Sequence, residues 1–249
     1  MGKKFIIGIG QRARAGKDTV ANYIKELRSS HEVHILHWAD TLYDEVRNSS
    51  RQYPLIKSMW IGKDSYYNLL STPDSRNYML FRADEIPVID ELMCTRNISE
   101  YWGMNEKDAP MLQAWGTNFR REKVKQSCLV DRTVEKIEQM INQYDLSYNS
   151  NKNLYVCVAD TRFKNEHDCI KGIESSNLKT HQFFGAFVRV IKLNEDGTQY
   201  IDPSRDPNHP SEAELDGIPS DFTLEAKSGD LDTLKQKTEQ FLNEIDEKW

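Results

Sequence analysis

The chain has 249 residues and carries 33 lysines and arginines against 39 aspartates and glutamates, a formal net charge of −6. That length suits one α/β domain with insertions, and the negative balance disfavours binding to a nucleic-acid polymer, so an anionic substrate would have to be met by locally clustered arginines. Cys94, Cys128, Cys157 and Cys169 lack any C-x-x-C spacing, and no apolar run approaches the ~18 residues a spanning helix needs. The expectation is a cytoplasmic chain (host cytoplasm if phage-encoded) with reduced thiols, no signal segment and no membrane partner.

Phe5-Ile6-Ile7-Gly8-Ile9 reads as an apolar strand, and Gly10 to Gly16 as a small-residue loop. From Lys17 a helix begins, with Val20, Ile24 and Leu27 at i, i+4 and i+7. A loop closed by glycine at a helix N-terminus lets backbone N–H groups converge on phosphate oxygens, and Lys17 can reach the β/γ-phosphates. The stretch therefore reads as a phosphate-binding P-loop with two departures from G-x-x-x-x-G-K-[ST]. Gln11 stands where the first glycine is usual, and Asp18 stands where a hydroxyl ordinarily touches Mg²⁺, which leaves Thr19, Asp18 or water for the metal.

Val33 to Trp38 forms a second strand ending at Ala39-Asp40, and Thr41 to Val46 opens a helix. Residues 51–108 show no clean strand periodicity and read as an insertion of short helices and loops on the substrate side. Helices follow over roughly 110–125 and 130–144, the second with Val130, Val134, Ile137 and Ile141 in one stripe. Leu154 to Val158 is a continuous apolar run closed by Ala159-Asp160, as expected of a strand buried on both faces of a parallel sheet. A helix is expected to about Ser175, a strand over Ala186 to Leu193, a weak strand at Phe222-Thr223-Leu224 and a last helix from Leu231 to Ile245. Asn194 to Pro219 is long for a connection and reads as a mobile, lid-like loop. Strands alternating with helices imply βαβ units. The predicted fold is a single three-layer P-loop NTPase domain, with a mostly parallel five-stranded sheet, helices on both faces and a helical insertion.

Phosphoryl transfer needs alignment and positive charge more than covalent chemistry, so arginines near the loop carry information. Arg12 and Arg14 lie in the loop, Arg120 and Arg121 follow Gln113-Ala114-Trp115-Gly116-Thr117, and Arg162 sits just past a strand end. Asp160 ends an apolar strand, where an acid can hold Mg²⁺ or cap the next helix; Asp40 has the same placement and the same two readings. His209-Pro210-Ser211-Glu212 reads as loop structure or a lid contact, and no histidine pair has metal-ligand spacing.

These stretches, from Gly16-Lys17-Asp18-Thr19 through Ala39-Asp40, Gln113 to Thr117 and Asp160-Thr161-Arg162-Phe163-Lys164-Asn165-Glu166 to His209-Pro210-Ser211-Glu212, stand in the order found in phage deoxynucleoside monophosphate kinases. The chain resembles that family over nearly its whole length. The resemblance implies a nucleoside monophosphate kinase that uses ATP and Mg²⁺, with Arg14, Gly16, Lys17, Asp18 and Thr19 at the ATP phosphates. It places Leu42, Tyr43, Gly116, Thr117 and Arg120 at the monophosphate, with Asp40, Gln113, Arg121 and Glu166 in the same candidate set. Lys17, Arg162 and Asp160 would be catalytic, and Thr19 and Asp160 would serve the metal. Tyr43 departs from the basic residue common in the family. The expected partners are small nucleotides, and a homodimer is compatible with this reading. Two alternatives stay open: a P-loop kinase for dephospho-coenzyme A or a ribonucleotide, and a nucleotide-binding protein without turnover.

Overall fold

A computed structural model describes residues 2–43, 116, 121, 126–147, 151–172, 183–203 and 205–248. The chain forms two compact units, one from Met1–Trp38 with Val130–Trp249 and one from Ala39–Leu129. The first unit holds the whole sheet. Its strands are β1 (Lys4–Gly10), β2 (Glu32–His37), β3 (Leu154–Thr161), β4 (Phe184–Leu193) and β5 (Phe222–Lys227). All pair in parallel, in the order β2-β3-β1-β4-β5. This is the P-loop NTPase topology. β1 lies between β3 and β4, so the loop after it emerges at the centre of the sheet's C-terminal edge, where open α/β sheets bind ligands.

Alternation along β1 divides the core into two layers. Phe5, Ile7 and Ile9 face one side, packed with Val20 and Ile24 of α1 (Lys17–Leu27) and with Leu234, Phe241, Leu242 and Ile245 of the C-terminal helix (Leu231–Lys248). Ile6 faces the other side, with the stripe Val130, Val134, Ile137 and Ile141 of α2 (Cys128–Leu146) and with Ile170 of α3 (Lys164–Ile170). Each of these larger apolar side chains contributes about 1.5–3 kcal/mol on burial. At the sheet's other end, the Tyr155 hydroxyl donates to Asp246 Oδ1 at 2.6 Å and Arg28 Nη2 pairs with the same carboxylate at 2.8 Å, fastening β3 and α1 to the C-terminal helix.

Several boundaries differ from the expected ones. The second strand stops at His37 and residues 38–43 are helical, because the Trp38 amide is drawn to the Asp160 carboxylate and no longer serves a ladder. α3 ends at Ile170, closed by Gly172 at φ 71°, instead of running to about 175. The fifth strand is a full six residues. The segment read as a lid-like loop carries a short helix, α4 (Pro210–Ala213), and an antiparallel bridge between Leu193 and Gln199, so the C-terminal helix is α5. The insertion at 51–108 lies outside the described residues, as does the 110–125 helix apart from positions 116 and 121. Among the described residues no helix is long and apolar enough to cross a membrane.

Candidate active site

Gly10 ends β1 against its neighbours: a Cβ there would stand 2.3 Å from the Thr161 carbonyl oxygen and 2.8 Å from Phe187 Cε2. The turn that follows closes at Gly16, the N-cap of α1, with φ 100° in the left-handed region that glycine adopts without a Cβ clash. Lys17 then starts the helix buried, and its Nζ donates to the Arg12 carbonyl at 2.7 Å, spanning the loop. Burial draws the Lys17 ammonium from 10.5 down to about 8, with repulsion from Arg162 next; Asp160, Asp18 and Glu212 pull the other way. A cation held down by desolvation and by a second cation is a receptor for anionic charge.

Opposite this loop, β3 breaks register. Ile9 pairs with Ala159 but Gly10 pairs with Thr161, so Asp160 is the extra residue of a bulge, and its φ is 64°. Bulges re-aim side chains beside functional sites, and a non-glycine residue kept in the left-handed region is strain that its surroundings must hold. Here the Trp38 amide donates to Asp160 Oδ1 at 2.9 Å, and Trp38 Nε1 donates to Thr161 Oγ1 at 3.1 Å. Burial raises the Asp160 pKa above the usual carboxylate range, opposed by Arg162, His37, the Trp38 amide and Lys17. Asp160, Arg162 and Lys17 are therefore brought within one electrostatic neighbourhood. Arg162 Nε is buried with no hydrogen-bond partner among the described residues, as are Nε and Nη1 of Arg12.

The connection from β4 to β5 supplies what sequence reasoning missed. Glu212 is buried; its Oε2 accepts from the Ala13 amide at 3.0 Å, and its Oε1 accepts from Arg205 Nη1 at 3.0 Å and from Arg162 Nη1 at 3.4 Å. Buried Asp202 pairs with Arg14 Nε at 3.2 Å. Asp216 accepts from the Gln11 amide and from Arg12 Nη2, the latter at 2.7 Å. Three acids of one connection thus meet four residues of the loop. Their only sequence signal was an acidic, proline-containing stretch in a chain with surplus loop arginines. The His209-Pro210-Ser211-Glu212 motif resolves into a helix start: His209 Nδ1 accepts from the Ser211 amide at 3.2 Å, Pro210 takes the first helical place, and Glu212 is aimed at the loop.

Of the remaining candidates, exposed Asp18 meets His37 Nε2 at 2.8 Å and Thr19 is half-buried one residue on. Glu166 reaches back to the start of its own helix, its Oε2 accepting from the Arg162 and Phe163 amides at 2.8 and 3.1 Å. Asp40, Leu42, Tyr43, Gly116 and Arg121 belong to the second unit, where a Cβ on Gly116 would meet Leu42 Cδ2 at 2.9 Å, so two of the acceptor-side candidates are neighbours. Gln113, Thr117 and Arg120 lie outside the described residues. No protein-family model matches the chain, and no curated protein matches its sequence.

Proposed function

We propose that the protein is an ATP-dependent kinase that transfers the γ-phosphoryl group to a deoxynucleoside monophosphate, giving ADP and a deoxynucleoside diphosphate for DNA synthesis. The observation that carries this is the left-handed Gly16 turn and buried Lys17 at the central strand's end, facing Asp160 and Arg162 across the β3 bulge. The order of the acceptor-side motifs supports the choice of a deoxynucleotide.

The donor set fits the reactants. Buried guanidinium nitrogens on Arg12 and Arg162 without a partner among the described residues, and a lysine depressed by burial and then by neighbouring positive charge, suit a polyphosphate. Mg²⁺ is usually held by one or two carboxylates together with substrate phosphates and water. Asp160 and Thr19 would hold it. When bound, Mg²⁺ neutralises charge on the bridging and terminal phosphate oxygens.

The chain's own residues do the rest. Lys17 leaves the Arg12 carbonyl for a phosphate oxygen, and the loop's backbone N–H groups align the leaving diphosphate. Arg162 presents a planar fork to charge developing on the transferring group, which an ammonium cannot match. The acceptor is a monophosphate oxygen already ionised near neutral pH, its second pKa being about 6, so no side chain is needed to remove a proton. A site of cations, with Asp160 beside them and the buried Glu212 holding Arg162 and the loop, suits that chemistry.

Incubating the protein with Mg²⁺, ATP and a panel of monophosphates while following ADP tests this reading. Turnover selective for deoxynucleotides is expected. Turnover with dephospho-coenzyme A or ribonucleotides would move the acceptor assignment, and ATP binding without any turnover would make the protein a nucleotide sensor. Failure to bind ATP would remove the P-loop reading altogether.

A further inference from the structure

Two glutamates occupy the third position of a short helix near this site, and they behave differently. Glu166 closes on the backbone just before its own helix, as a glutamate at that place ordinarily does. Glu212 does not. Its amide bonds the His209 carbonyl at 2.8 Å, as the third residue of α4, but its carboxylate is committed to groups outside its own helix, two of them, Ala13 and Arg162, far away in sequence. A buried carboxylate is costly unless each oxygen is satisfied, and here Ala13 takes one oxygen while Arg162 and Arg205 share the other.

Resting on the kinase reading, we propose that Glu212 is a positioning residue for phosphoryl transfer, one carboxylate fixing the phosphate loop through Ala13 and the guanidinium groups of Arg162 and Arg205 in a single frame. The two oxygens make this a geometric coupling. Displacing Arg162 pulls on the oxygen pair that holds Ala13, so the loop and the arginines keep their spacing when a nucleotide arrives. A neutral amide cannot replace it. All three partners are donors, a glutamine side chain has one acceptor oxygen, and its NH₂ would confront either Ala13 N–H or a guanidinium. The contact also gives the β4–β5 connection a fixed anchor on the loop through α4.

The test is a double-mutant cycle of E212Q and R162K, with kcat and the KM for ATP measured for each protein and calorimetric ATP binding alongside. E212Q is expected to fold, to lose roughly ten- to a hundredfold in kcat and to keep its KM for ATP within about threefold. The double variant is expected to lose clearly less than the product of the two single losses, because part of the effect of Glu212 runs through Arg162 and the rest through Ala13 and Arg205. An unchanged kcat in E212Q, or losses that multiply in the double variant, would overturn the proposal. Should E212Q melt below the assay temperature, E212D takes its place: its shortened carboxylate reaches Ala13 or the arginines but not both, and it is expected to lose kcat in the same way. If the wild-type protein transfers no phosphoryl group to any acceptor, the kinase reading fails separately. The frame is then read by NMR, where the Ala13 amide and the Arg162 Nε–H signals are both expected to shift in E212Q; if only one moves, Glu212 does not couple them.

Discussion

Burial draws the Lys17 ammonium down to about 8 from 10.5, and the sign of that change gives a measurable consequence. Below pH 8 the lysine is charged in both folded and unfolded chains, and the folded state bears the full cost of a desolvated cation. Between about pH 8 and 10.5 the unfolded chain binds more protons, so this group's contribution to stability rises with pH and the cost is gone above 10.5. Lys17→Met should therefore melt several degrees above wild type at pH 7, with the gap closing toward pH 10.5, while its turnover falls about a hundredfold or more. Wild-type turnover in a folded Lys17→Met protein would remove the lysine from the site. Asp160 gives the complementary case. Asparagine tolerates φ 64° and still accepts from the Trp38 amide, but it lacks the charge that burial opposes. Asp160→Asn is expected to melt at or above the wild-type temperature and to lose roughly tenfold to a thousandfold in rate. A lower melting temperature with full activity would make Asp160 a structural residue.

At the scale of elements, the site depends on β1 and β3 running close enough for the bulge to fit. Gly10 sets that approach, since any side chain would be driven into the Thr161 carbonyl and the Phe187 ring. Gly10→Ala should cost about 1–3 kcal/mol and lower the melting temperature by several degrees, because a main-chain atom, unlike a rotamer, cannot step aside. Activity should fall by more than stability alone explains, as the shift moves Asp160 relative to the loop. A variant with unchanged melting and unchanged kcat would show that the two strands can part without consequence.

For the molecule as a whole, both apolar clusters, among the described residues, are built from residues of the first unit. All five strands and the packed faces of the helices on them lie in that unit, so it is expected to fold by itself. Replacing the second unit, Ala39–Leu129, with a short Gly/Ser linker is expected to leave a cooperative thermal transition and ATP binding and, on the proposed acceptor role of Leu42, Gly116 and Arg121, to abolish phosphoryl transfer. A noncooperative melt would show that the second unit stabilises the first.

Local signals in the sequence were enough for the strands, the main helices and the loop with Gly16 and Lys17, because continuous apolar runs and 3.6-residue stripes report burial directly. They also put Asp160 and Arg162 at a strand end. They could not decide which strand neighbours which, and hence that β3 lies beside β1 and turns Asp160 toward the loop; that follows from parallel pairing between segments about 150 residues apart. Nor could they assign Glu212, Asp202 and Asp216, whose meaning comes from groups that only folding brings within reach. A carboxylate in a polar connection looks solvated in one dimension. Packed against a loop crowded with cations, Glu212 and Asp202 are buried and paired, and exposed Asp216 is paired as well.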